Sequence, residues 1–125
     1  MKKSILTLLL AAMSTGAMAE WVKVGEIASG TVFYIDPATI SKDGNFRKVW
    51  EVQDLKQRGK SGEISMRGFL EYDCKKERSR ILSVSGHSDP MAGGKTVASH
   101  GIPDKWYDVT PGTIPAAELK FVCSK

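Results

Sequence analysis

The chain has 125 residues, with 18 basic and 14 acidic side chains and a formal charge of +4. That length carries one domain with a real core, yet it is small enough to gain from a covalent staple. The positive charge is slight and poorly clustered, which argues against a nucleic-acid partner.

The N-terminus reads as an export signal. Lys2 and Lys3 form a basic start, Ile5 to Met13 an apolar block, and Ala17-Met18-Ala19 a small-residue cleavage site. The apolar block is too short to cross a bilayer as a permanent helix. Residues 1–19 are therefore predicted to be a signal peptide and residues 20–125 the mature domain. Loss of Lys2 and Lys3 lowers the formal charge to +2, so much of the basicity belongs to the leader. No cysteine precedes Cys74, so no lipid anchor is expected near the cleavage site, and no later segment is apolar enough to span a membrane.

The body reads as β-structure. Trp21 to Ala28 and Thr31 to Asp36 are strand-like, joined at a Ser29-Gly30 turn, and Asp43-Gly44 signals another turn before Phe46 to Leu55. In that segment Lys48, Trp50 and Val52 alternate with Arg47, Val49 and Glu51, the period of two of a half-buried strand. Gln57 to Gly62 is a polar, glycine-bearing loop. Glu63 to Cys74 is the clearest strand, with Ile64, Met66, Gly68, Leu70, Tyr72 and Cys74 on one face. Ser65, Arg67, Phe69, Glu71 and Asp73 share the other.

A two-residue turn at Lys75-Lys76 would return the chain antiparallel as Glu77 to Ser85. That register sets Asp73 opposite Arg78 and Glu71 opposite Arg80, two opposite-charge pairs on the polar face. It also sets Leu70 opposite Ile81 and Phe69 opposite Leu82. His87 to Lys95 is a loop rich in Gly and Pro, and Thr96 to His100 a short last strand. Ile102 to Gly112 is irregular, with Trp106 and Tyr107 expected to cover the sheet's edge.

The finish carries the helical signal. Thr113 can cap, Pro115 sits in the first turn, Glu118 lies early, and Lys120 and Lys125 lie late. Ala116, Leu119, Val122 and Cys123 form the predicted core face. Ile114, Ala117 and Phe121 form a second apolar stripe, covered by the Trp106 loop in the preferred reading and by a second subunit in the alternative.

An exported chain meets an oxidising compartment, so Cys74 and Cys123, the only cysteines, are expected to pair. The bridge closes a loop of roughly 50 residues and would contribute about 4 kcal/mol in the chain-entropy model. It would also pin the helix to the apolar face of the sheet. The sequence contains no C-x-x-C, no Cys/His set at zinc spacing, no nucleophile motif and no phosphate loop. His87 and His100 flank a loop without a nearby acidic ligand and are read as solvated. A non-enzymatic protein without metal or cofactor is predicted.

Tyr34-Ile35-Asp36, Lys48-Val49-Trp50, Glu71-Tyr72-Asp73-Cys74, Trp106 leading to Pro111-Gly112-Thr113, and Cys123 together resemble the surface-adhesin protein E family of Gram-negative bacteria. The resemblance runs from Trp21 to Cys123. It implies a mainly β, α+β domain: one antiparallel sheet of about six strands carrying a C-terminal helix tethered by a disulfide. It further implies a dimer and an adhesive, protein-binding role. The family's best-known member looks like a lipoprotein at its N-terminus, whereas this chain has no matching cysteine, so a periplasmic location is expected ahead of the cell surface or secretion.

Two functional readings follow. One is an adhesin-like interaction module binding host or envelope proteins, with Lys75, Lys76, Arg78 and Arg80 as the contact for an acidic partner. The other is a soluble periplasmic binding or enzyme-inhibitor protein.

Overall fold

The computed structural model describes residues 20–101 and 103–125. The predicted signal peptide lies outside the described residues. Eight strands form one antiparallel sheet: β1 (Val22–Glu26), β2 (Val32–Ile35), β3 (Ser41–Asp43), β4 (Phe46–Asp54), β5 (Ser65–Asp73), β6 (Arg78–Asp89), β7 (Gly93–His100) and β8 (Tyr107–Asp108). The main path is β1-β2-β4-β5-β6-β7, six strands as expected. Short β3 pairs with the start of β4, and β8 with the start of β6. Among the described residues one α-helix, α1 (Ile114–Cys123), follows.

Strand β5 is the centre, paired along its whole length with β4 and β6. Alternation then decides which side chains go where. Val49, Leu70 and Tyr72 point to the helix side, where they join Ile35, Leu119 and Val122 in the core. Trp50, Phe69, Glu71 and Asp73 occupy the opposite face. Thr113 caps α1 by accepting from the Ala116 amide at 3.4 Å, with Pro115 in the first turn. The Cys74–Cys123 disulfide ties the end of this helix to the end of β5, with Cα atoms 5.8 Å apart.

The β5–β6 hairpin keeps the expected register as far as Leu70–Ile81, with Asp73 opposite Arg78 and Glu71 opposite Arg80. Its connection is longer than the expected two-residue turn, spanning Cys74 to Glu77. The loop extends by one residue on each side, which leaves the register unchanged. Asp73 Oδ1 accepts from the amides of Lys75 and Lys76 at 3.1 Å each, and Glu77 closes the loop at φ 52°. Beyond Leu70 a β-bulge intervenes, and Phe69 faces Ser83 rather than Leu82.

Three further segments are strand where none was expected: β3, the end of β6 and the start of β7. The Asp43-Gly44 turn signal belongs to a β3–β4 hairpin, whose Gly44 sits at φ 59° as a tight turn requires. Strand β6 runs on to Asp89, so His87 lies in a strand, and β7 begins at Gly93. The intervening Pro90–Ala92 turn folds back on the sheet: the Met91 amide donates to Asp54 Oδ1 at 2.8 Å, and that of Ala92 to Ser65 Oγ at 2.8 Å. These side chains replace the ladder bonds that the turn lacks.

Candidate functional site: two faces of one sheet

The strand alternation builds two surfaces. On the face away from α1, the four cationic residues singled out by sequence divide into two pairs. Lys75 and Lys76 are exposed at the hairpin tip. Arg78 instead donates to Asp73 Oδ2 at 2.8 Å, and Arg80 to Glu71 Oε1 at 2.9 Å through Nε. Asp73 and Glu71 are themselves buried. The Arg78 side-chain bond, followed by the Lys76 amide, lowers the Asp73 pKa below the usual carboxylate range. Trp106 crosses both guanidinium groups, at 4.8 Å from Arg78 and 4.6 Å from Arg80, and lies 5.9 Å from Phe46. The loop carrying Trp106 thus covers this face, while Tyr107 and Asp108 pair with the edge of β6.

The Glu71–Arg80 pair gives a direct test of the hairpin. Glu71→Lys should destabilise the protein in urea unfolding, and adding Arg80→Glu should recover about 1 kcal/mol or more. Strictly additive changes would contradict the pairing.

His87 is also on this face but is buried, with Nε2 2.7 Å from Ser85 Oγ. Burial, then the Arg67 charge, lowers its pKa. The reading of His87 as a solvated loop residue is therefore replaced. The Asp-Pro and Gly-Gly pairs that follow it are loop signals, yet they form only the short turn between β6 and β7. His100 is exposed on β7, opposite Val84 and three residues along β6 from His87. Among the described residues, no group of three or more His, Cys, Asp or Glu side chains is placed to hold a metal ion. No helix of the described residues is long and apolar enough to cross a membrane.

The helix side holds a groove of about 790 Å³, bounded by the sheet, the start of α1 and the segment around β8. Its apolar surface includes Phe33, Ile81, Tyr107 and Ile114. Ile114 Cδ1 lies so near Gly25 that a Cβ there would sit only 2.7 Å away. Of the second helix stripe, Ile114 meets β1 at Gly25 and Phe121 packs against the core, while Ala117 is exposed.

At the groove's floor lies a residue that the sequence reading assigned only to the helix N-terminus. Glu118 is 1% exposed. The Tyr72 hydroxyl donates to its Oε1, while its Oε2 has no hydrogen-bond partner among the described residues. Glu51 lies alongside and accepts from Gln53 Nε2 at 2.9 Å. Burial first, and the Glu51 carboxylate second, push the Glu118 pKa from 4.5 up to about 10. Burial and the Glu118 charge raise Tyr72 well above 10.0. At neutral pH Glu118 is consequently an uncharged acid beside an uncharged phenol. Spacing does contain the signal: Glu118 falls four residues from both Ile114 and Val122, inside an apolar stripe.

An eight-stranded antiparallel sheet, one C-terminal helix and a disulfide between them define a small stapled β domain. The chain belongs to the Surface-adhesin protein E family, which it matches over residues 21–124. Its fold is similar to that of Haemophilus influenzae protein E. One crystal form of that protein superposes with a TM-score of 0.69 at 14% identity, covering 88% of this chain and 91% of the other. Its selenomethionine form gives a TM-score of 0.70 at 14% identity, covering 88% and 90%. No curated protein shows significant sequence similarity to the chain.

Proposed function

We propose that this chain is an exported, non-enzymatic interaction module that binds a protein partner, host or envelope, as an adhesin of its family. The observation that carries this reading is the family match across residues 21–124. The hairpin tip supplies a chemically plausible contact: Lys75 and Lys76 are exposed, on a base stiffened by the Arg78 and Arg80 ion pairs. An acidic patch on the partner fits that tip. Strands β1 and β7 end the main path of the sheet, and their free backbone edges suit a second copy of the chain.

Antibody labelling of washed intact cells tests the reading. Labelling before permeabilisation supports surface display. Labelling only afterwards, with the protein recovered in osmotic-shock fluid, removes the surface-adhesin version and favours a soluble periplasmic binding or inhibitor protein.

A further inference from the structure

The groove on the helix side plays no part in the proposal above, which uses the opposite face and the edges. Its volume of about 790 Å³ falls within the roughly 300–1,000 Å³ of small-molecule sites, and its build matches theirs: mostly apolar walls with a few convergent polar groups. We propose that this groove binds a cationic amphiphile, a molecule with one ammonium group and a short hydrocarbon body. The ammonium would lie against Glu118 and Glu51, and the hydrocarbon along Ile114 and Ile81.

Three observations select that chemistry. The first is the buried Glu118 carboxyl in the groove's lining, beside Glu51 and with no partner for its Oε2 among the described residues. An ammonium placed against the two carboxyls would offset their mutual repulsion and give that oxygen a donor, so Glu118 would release its proton to solvent as the cation binds. The second is charge. Asp104 and Asp108 line the groove, are exposed, and make no ion pair among the described residues. Among the described residues Arg80 is the one basic side chain lining it, and its guanidinium is bound to Glu71. The field in the groove is therefore negative, which draws cations and repels anions. The third is apolar exposure: Ile81 is 41% exposed and Tyr107 49%, and both line the same depression. An alkyl chain would remove that surface from water.

The test uses the purified protein with octylammonium, octanol and octanoate, each below its micelle concentration, in calorimetry and amide-shift mapping. Octylammonium should bind at least tenfold more tightly than octanoate, with shifts centred on Ile81, Tyr107 and Ile114. Glu118→Gln should weaken octylammonium at least tenfold and leave octanol unchanged. Gln keeps the shape of the neutral acid but cannot ionise to meet the ammonium charge. Asp104→Asn with Asp108→Asn, both on the exposed rim, should weaken octylammonium a few-fold without touching the floor. Equal affinity for octylammonium and octanoate, no binding of octylammonium, or shifts confined to another surface would each overturn the proposal.

Discussion

Replacing Glu118 by Gln is expected to stabilise the protein by about 3 kcal/mol at pH 7. The carboxyl rises from 4.5 to about 10 on folding, because burial and then Glu51 disfavour its charged form. A raised carboxyl pKa means that the folded protein holds the proton more tightly than the unfolded chain. Its contribution is therefore complete below about pH 4.5 and declines as pH rises towards 10, at about 1.4 kcal/mol per pH unit. Gln keeps the size of the side chain and cannot ionise, so it escapes that decline. It can also accept from Tyr72 and donate to Glu51.

The other shifted groups leave a clean window for this measurement. His87 is lowered, so its contribution is full above about pH 6.5 and is lost as pH falls below that value. Asp73 is lowered too, and acts only below about pH 4. Between pH 7 and pH 9, urea unfolding should show the wild type losing about 3 kcal/mol while Glu118→Gln stays nearly level. Parallel slopes for the two proteins would remove the buried neutral acid from this account.

What could be read from the sequence, and what could not, turns on how much of each feature is local. The β5–β6 register was legible because the acids Glu71 and Asp73 and the bases Arg78 and Arg80 each lie two residues apart, so one alignment satisfies both charge pairs. The bulge was not, since Phe69 and Leu82 make an equally acceptable apolar pair in the unbulged register. The helix was legible from Thr113, Pro115 and its apolar spacing. The burial of Glu118 was hidden because a Glu in the first turns of a helix has an ordinary explanation in the helix dipole. Only the long-range meeting with Tyr72, 46 residues away in sequence, shows the other role. The pairing of Arg78 and Arg80 with Asp73 and Glu71, which leaves Lys75 and Lys76 exposed, follows from the same register, but the cover over both guanidinium groups depends on Trp106, which reaches them from the β7–β8 connection.

Replacing Cys74 and Cys123 together by Ser is expected to cost about 4 kcal/mol in urea unfolding, the loop-closure value for residues separated by 49 positions. A loss below about 1 kcal/mol would show that the bridge merely decorates a fold held by other contacts. The loss should be uneven across the molecule. Helix α1 has ten residues, too few to persist alone in water, so it depends on docking through Leu119, Val122 and the Tyr72–Glu118 bond. Without the tether, amide exchange along residues 114–123 should accelerate well before exchange in β5, which is bonded on both sides. The two predictions then meet at one residue. Undocking the helix returns Glu118 to water, where its carboxyl ionises at ordinary pH, so rising pH should favour release of the helix in the untethered protein. Adding Glu118→Gln should remove that pH dependence and restore part of the protection.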